Sequence, residues 1–599
     1  MPRLEVGRTE LARAFFAGRY DEVLSQTIDS AAGGAAVEDV AFVVGALSFV
    51  GRITEAELLL DGLRNDGSES AHRTRAAGGF FLSVARCRAG NVEGGRDAIV
   101  RAERATRGAR DAWSRSLLLQ GVACCHYFAS EFGRAERATT AALKSAQRAR
   151  FAYAQLLAND MRGHLLLRSG RALEGLSVLE RAKRHARALE LESNANAIAV
   201  SIALAQAAMS QPTRAVGILT AALEATTRPE DGYSRRMLLE QLATYHAWIG
   251  DTPRARALLE EAAPAAAGDE RAQVSLLTAR AHVARVESGW DAARVLAERA
   301  AALLPRGTDA SRDAEIASLL LGAALASGDD EAADRAADWL TELADQHGLY
   351  RAASWLAIYG RRDDLSIAEG DEWTPAMREV TEAAPRTALR RAIRSGLLGL
   401  VPHALGREPS RRLVVLDDTL LIEQHGRVER RDPLSPRARE LLNAIAHADG
   451  RRESLLRVVW GLRTYRPQRH DSVIKTTVSR LRSALGDAGS WIVTRDGGYQ
   501  LLEGVELVYE DLAAEDSRTD LARSPGPGGR RASRWRRVLD ELERSPELTV
   551  SELARVLGAS VRTMSRDLSH MVAEDIVTRR GAGPATRYRP RPHDEELRS

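Results

Sequence analysis

A turn signal that returns about every 40 residues constrains this chain more than any other feature. It stands as Gly18 in AGRYDE, Gly51 in VGRITEAE, Gly90 in AGNVEGG, Gly133 in FGRAERA, Gly170 in SGRALEG, Ser210-Gln211-Pro212, Gly250 in IGDTPRAR, Gly289 in SGWDAAR and Gly328 in SGDDEAAD. The interval runs roughly 33 to 43 residues and settles near 39 to 40. An Ala/Leu-rich run precedes each turn and a more charged run follows, as in LLEQLATYHAWIG and then TPRARALLEEAA. This predicts helical hairpins whose apolar faces are buried only when neighbours stack on them. The glycine supplies the left-handed residue that ends the first helix, and the Asp, Asn or Thr that follows can cap the second.

At 599 residues the chain exceeds what one hydrophobic core serves, and roughly three to five units are expected. A hydrophobic share of 44% with 28% charged residues fits a soluble protein, and no stretch approaches the ~20 apolar residues of a membrane span. The start Met1-Pro2-Arg3-Leu4-Glu5-Val6 lacks the pattern of an export signal, so a cytoplasmic location is expected, without membrane association. Cys87, Cys124 and Cys125 have neither CxxC spacing nor a histidine cluster and read as buried thiols, with no metal site or cofactor expected. The net charge of +3 is nearly neutral for this size, so nucleic-acid binding must rest on local charge. Lys144, Lys183 and Lys475 are the only lysines, and the arginine bias runs through segments without a DNA-binding pattern.

The repeats resemble tetratricopeptide repeats in the longer form found in bacterial regulators, over about residues 5 to 350. The resemblance implies a curved solenoid whose concave wall holds a peptide, a protein partner or a small-molecule effector, or serves as a scaffold without one. Phe15, Phe16, Phe80, Phe81, Tyr127, Phe128, Tyr245 and Trp248 are expected in packing between hairpins. The isolated His126, His164, His185 and His246 read as structural. Residues 351–406 lose the repeat but keep helical segments, and read as a cap and connector.

From Arg411 the pattern changes to LVVL, LLIEQ and GRVERR, separated by Asp417-Asp418 and His425-Gly426 turns, as in a small antiparallel sheet. Leu434-Ser435-Pro436 opens a helix, ESLLRVVWG a second and HDSVIKTTVSRLRSALG a third, before the hairpin WIVTRDGGYQLL. On the third helix Ile474, Val478, Leu481 and Leu485 form one apolar stripe. The other side carries Ser472, Lys475, Thr476, Ser479 and Arg482, flanked by Thr477 and Arg480, with no acid between Ser472 and Gly486. Hydroxyls and guanidiniums on such a face suit base edges and phosphates, and Arg480 and Arg482 are the leading contacts. The motifs Leu455-Leu456, Trp460-Gly461, Val478, Arg480-Leu481-Arg482, Leu485-Gly486, Thr494 and Gly497-Gly498-Tyr499 make residues 407–510 resemble an OmpR/PhoB-type winged-helix DNA-binding domain. That resemblance implies wing contacts from Thr494 and Arg495, and contact with RNA polymerase at the Leu462–Arg469 loop. A helical array stands where such regulators place a phosphorylated receiver, so aspartyl phosphate is not the expected input.

The Pro- and Gly-rich stretch 511–532 reads as a tether. Beyond it come Ser533–Glu543, Thr549–Gly558 and a helix capped by Ser560, and Leu553, Ala554, Val556-Leu557, the Gly558 turn, Val561, Met564 and Leu568 have the spacing of two helices crossing at a tight turn. Residues 533–590 resemble DeoR-type winged helix-turn-helix domains, ahead of a tail at 591–599. Arg562, Thr563 and Arg566 begin the recognition helix, and Arg579, Arg580 and Arg587 lie in a basic wing. From Arg530 to Arg589 there are 13 arginines against 8 acidic residues, a local excess suited to counterion release.

The whole reads as mainly α, a tetratricopeptide-like solenoid followed by two small α+β winged-helix domains. The expected function is a transcriptional regulator binding double-stranded DNA, with a second copy of the chain as a further expected partner in a homodimer. The alternative is an adaptor whose winged helices contact proteins. The GxxxxGK[ST], HExxH and GxSxG motifs do not occur, and no enzyme is expected.

Overall fold

The computed structural model describes residues 10–30, 37–63, 68–107, 111–226, 232–307, 309–383, 385–406, 411–416, 419–447, 450–462, 464–495, 497–509, 538, 541–542, 547–557, 561–573, 577–581 and 586–590. The expected tether and tail lie outside them, as do Gly558, Ser560 and most of Ser533–Glu543. Two compact units emerge: Met1–Arg411 with Glu423–Glu429, and Arg412–Ile422 with Arg430–Ser599.

Among the described residues the first unit contains nine helical hairpins, from Glu10–Phe16 with Tyr20–Ser30 to Ala310–Ser327 with Asp330–His347. First helices such as Glu69–Arg88 are buried along most of their length, because neighbours pack on several sides. Second helices such as Phe132–Arg148 bury a single stripe, Ala135, Thr139, Ala142, Ser145 and Ala146, as expected for one covered face. The expected caps form: Asn91 accepts from the Gly94 amide at 2.8 Å, Asp251 from Arg254 at 3.3 Å and Asp329 from Ala332 at 2.9 Å.

One turn differs from expectation. Gly133 lies inside the helix Phe132–Arg148, and the left-handed residue is Ser130, at φ 60°. With Ser130 in place, the turn residues Gly90, Ser130, Gly170, Ser210 and Gly250 follow one another at a constant spacing of 40. A serine bears the small cost of that backbone because its side chain is used elsewhere: Ser130 Oγ accepts from the Ala310 amide at 3.1 Å, 180 residues along the chain.

That bond belongs to a seam. Arg271 donates to the Cys87 carbonyl at 3.3 Å beside the Gly90 turn, and His347 lies 3.2 Å from the Ser130 carbonyl. At Gly170 (φ 82°) the Tyr350 ring fills the space a Cβ would need, with ring atoms 2.6 to 2.8 Å from that position. Each of these turns therefore meets the start or end of a helix roughly four and a half hairpins later, so the array winds back onto itself. The cap helices Tyr350–Ile358, Trp373–Glu382, Pro385–Arg394 and Val401–Leu405 continue it. Trp373 anchors them, with its ring 4.8 Å from Trp355, 5.8 Å from Trp248 and 3.5 Å from the Arg351 guanidinium carbon.

In the second part, strands β1 (Arg411–Val415), β2 (Leu420–Gln424) and β3 (Arg427–Arg431) precede helices α1 (Pro436–His447), α2 (Arg452–Trp460) and α3 (Pro467–Leu485). The pair His425-Gly426, at φ 48° and 79°, makes the tight primed turn that a two-residue hairpin requires. Strands β4 (Ile492–Arg495) and β5 (Gly498–Leu501) pair antiparallel, with Arg495 opposite Gly498, as the wing pattern predicts. A strand not foreseen, β6 (Val505–Tyr509), completes the sheet order β3-β2-β1-β6. Its alternation Val505, Leu507, Tyr509 was the available signal. Helices α1 to α3 enclose a core that includes Leu441, Leu455, Ile474, Val478, Leu481 and Trp491.

The last part has its own core, including Leu553, Met564, Leu568, Met571, Val577 and Tyr588. Strand β7 (Leu548–Thr549) leads into α4 (Val550–Val556), followed by α5 (Val561–Ala573), β8 (Val577–Arg580) and β9 (Arg587–Pro590), with sheet order β7-β9-β8. A capping box starts α4: Thr549 N–H donates to Glu552 Oε2 at 2.8 Å, and Glu552 N–H to Thr549 Oγ1 at 3.3 Å. Val561, expected in the crossing-helix contact, is 54% exposed, so the buried stripe of α5 begins at Met564.

Candidate functional site

Helix α3 buries the predicted stripe completely, with Ile474, Val478, Leu481 and Leu485 at 0 to 1% exposure. Its opposite face presents Ser472, Lys475, Thr476, Ser479 and Arg480 to solvent, while Thr477 is half-buried and donates to the Val473 carbonyl at 2.8 Å. Ser472, Thr476, Thr477 and Arg480 share a surface depression with Ser435 and Arg437 from the start of α1. Arg437 is exposed and adds a cation that sequence reasoning missed, since nothing in the α1 pattern reports its proximity to α3.

Arg482 is placed otherwise than expected. Its Nη2 and Nε donate to the Ile492 carbonyl at 2.6 and 3.1 Å, and Nη2 also lies 3.2 Å from Thr494 Oγ1. The guanidinium carbon sits 5.8 Å from the Tyr499 ring. These bonds clamp α3 to the wing, so Arg482 positions the two elements while Arg480 is the outward arginine. Thr494 and Arg495 are exposed on β4. Gly498 permits the wing to close on the body, because a Cβ there would lie 2.4 Å from the Gly450 carbonyl oxygen.

Asp471 organises the approach to α3. Its carboxylate receives Arg452 at 2.8 Å and the Tyr465 hydroxyl, with Lys475 Nζ at 3.8 Å. Burial, then the bond to Asp471, raises the Tyr465 pKa, and the bond with Tyr465 raises that of Arg452. This one acid fixes the loop between α2 and α3 to the helix.

In the last part, Arg566, Arg579, Arg580 and Arg587 are exposed, and the side chains of Arg562 and Thr563 lie outside the described residues. Glu547 draws two of the wing arginines together. Arg587 donates to its carbonyl at 2.7 Å, and Arg580 lies 3.6 Å from its carboxylate. Arg579 is left outward on β8 beside Thr578.

The repeat unit encloses a cavity of about 450 Å³ whose walls reach from Phe80 to Arg351. Tyr127, His164, Arg168, Tyr245, His282 and Glu315 are among its lining groups. Arg168 donates to the Tyr127 hydroxyl at 3.2 Å, and His164 Nε2 lies 2.9 Å from Ser201 Oγ. Burial works against the Glu315 charge, yet the His282 bond at 3.0 Å and the Arg351 charge hold its pKa down to about 2. Burial lowers the His164 pKa, against the pull of Asp160. Of the aromatics expected in packing, Phe15, Phe16, Phe80, Phe81, Tyr245 and Trp248 are buried and Tyr127 and Phe128 half-buried, and Phe80, Tyr127, Phe128, Tyr245 and Trp248 also line the cavity. Sequence reasoning missed this lumen, since its walls come from many hairpins and have no local spacing.

Among the described residues no helix is long and apolar enough to cross a membrane, and no group of three or more His, Cys, Asp or Glu is placed to hold a metal ion. No curated protein matches the chain. Solved structures overlay loosely. A Rap protein complexed with competence and sporulation factor is 15% identical, with 58% of this chain and 97% of that one covered and a TM-score of 0.41. The apo quorum sensor NprR from B. thuringiensis is 13% identical, with 56% and 97% covered and a TM-score of 0.38. The hairpins themselves carry the repeat assignment. At the C-terminal end the motifs resemble DeoR-type domains, while the family model that matches, over residues 531–587, is that of the MarR family.

Proposed function

We propose that the chain is a DNA-binding transcriptional regulator in which α3 enters the major groove, α5 provides a second reader and the repeat lumen receives the signal. One observation carries this reading: α3 turns Ser472, Lys475, Thr476, Ser479 and Arg480 outward without an intervening acid, over a fully buried apolar stripe. Arg437 and Arg495 extend the cationic surface towards flanking phosphates. The MarR-family match supports a DNA role for the C-terminal part, with Arg566 and Arg579 as contacts and Arg562 and Thr563 as further candidates. A lumen lined by both rings and charges suits an effector with apolar and polar parts, whether peptide, protein segment or small molecule.

Val458, Leu462 and Val473 are 59, 45 and 45% exposed around the α2–α3 loop, which favours a protein contact there, with RNA polymerase as the candidate. Genome-wide occupancy by the full-length protein, followed by titration of one occupied duplex at several salt concentrations, tests the assignment. Discrete sites and an affinity that falls steeply with salt are expected. Dispersed occupancy, or duplex binding indifferent to salt, would sink it. Removing residues 533–599 should shorten the protected footprint, and an unchanged footprint would exclude the second reader.

A further inference from the structure

The three cysteines read from sequence as buried thiols, and the fold brings two of them face to face. Cys87 lies in the last turn of the helix Glu69–Arg88 of the third hairpin, and Cys125 lies in Ala112–Phe128 of the fourth, with their sulfurs 3.7 Å apart. Ser83 Oγ, one turn before Cys87, lies 3.2 Å from Cys125 Sγ. The space is shaped for this pair, because a Cβ on Gly95 would lie 2.6 Å from the Cys87 sulfur. The third thiol, Cys124, turns instead towards the lumen.

We propose that Cys87 and Cys125 form a thiol pair oxidised to a disulfide by hydrogen peroxide or another small uncharged hydroperoxide. Exposures of 0 and 2% exclude bulky oxidants, and the reaction requires a small peroxide to enter from the lumen, which the adjacent Cys124 lines. The hydrogen bond from Cys87 draws the Cys125 pKa down to about 7 in spite of burial, with help from Ser83 and the Arg96 charge and opposition from Glu93. That bond, together with burial, raises the pKa of Cys87, and burial pushes Cys124 up to about 12. Cys125, whose sulfur receives the Cys87 thiol and lies against the Ser83 hydroxyl, is the attacking thiolate, and Cys87 is the resolving thiol.

The Cys125 thiolate attacks one peroxide oxygen, the O–O bond breaks, and the departing hydroxide takes up a proton to leave as water. Cys87 then attacks the sulfur of the resulting sulfenic acid, its proton joins the departing hydroxyl, and a second water leaves. Two thiols lose two electrons, and one peroxide becomes two waters. The sulfurs close from 3.7 Å to about 2.05 Å, drawing together two first helices of the array. The strain reaches the seam directly, since the Cys87 carbonyl accepts the hydrogen bond from Arg271.

The test treats the folded full-length protein with hydrogen peroxide, then blocks free thiols and maps the peptides by mass spectrometry. Titratable thiols should fall from three to one, a Cys87–Cys125 cross-linked peptide should appear, and dithiothreitol should restore all three. Oxidised glutathione should leave all three free. Cys124→Ser should keep the cross-link and Cys125→Ser abolish it. If Cys125→Ser does not fold, Cys87→Ser with an unchanged circular dichroism spectrum must abolish it instead. Thiols that survive peroxide until the protein is unfolded, first oxidation at Cys124, or cross-linking by glutathione would each overturn the proposal. It stands independently of DNA binding.

Discussion

Arginine serves opposite purposes in the two regions of this molecule. Inside the repeat unit several are packing residues: Arg236 is 6% exposed and paired with Glu240 at 2.7 Å, Arg285 lies 4.4 Å from the Trp290 ring centre, and Arg351 sits over Trp373. On α3, Arg480 faces water and makes no ion pair among the described residues. The difference is one of surroundings. A guanidinium buried beside a carboxylate or ring satisfies its own neighbours, and one held outward on a rigid helix remains available to a phosphate or a guanine. Within the first winged domain the same division separates Arg480 from Arg482, two residues apart on one helix.

The comparison breaks first, and hardest, at the buried pair. Glu240→Ala should destabilise the repeat unit by about 3 to 5 kcal/mol, because it removes the buried carboxylate that pairs with Arg236 and accepts from the Ser275 hydroxyl. Chemical denaturation checks this, and a loss below 1 kcal/mol would show that water reaches the site. Arg482→Ala should cost about 1.5 to 3 kcal/mol of stability through its charged bonds to the wing, weakening all DNA sequences alike. A changed sequence preference would restore Arg482 as a base reader. Arg480→Ala should leave the melting temperature nearly unchanged yet lose about 1 to 3 kcal/mol of operator affinity. Binding isotherms on one occupied site decide that point, and equal affinity removes Arg480 from the interface. The smallest effect belongs to Arg335→Ala, whose exposed partner Glu331 lies one helical turn away at 2.6 Å. About 0.5 kcal/mol or less is expected from such a pair, and a larger loss would mean that this part of the array relies on surface charge.

Much of the architecture was legible because it rests on local periodicity. The turn spacing located the hairpins, Asn91, Asp251 and Asp329 marked their caps, and the Ile474–Leu485 stripe set the inward side of α3. Where sequence reasoning slipped, a contact distant in the chain had intervened. Gly133 looked like a turn residue, but Ser130 holds that conformation because its hydroxyl meets Ala310. Arg482 looked as available as Arg480, but the wing carbonyl of Ile492 claims it.

By itself, then, the sequence determined most of the helices and strands, though not β6, and which side of each is apolar, since both follow from residues within a turn or two of one another. Only the tertiary structure decided the seam, the lumen and the Cys87–Cys125 approach. These depend on how far each hairpin rotates against the next, a small angle set by side-chain packing that accumulates along the array. No local pattern records that angle, yet it determines which residues 38 or 180 positions apart come into contact.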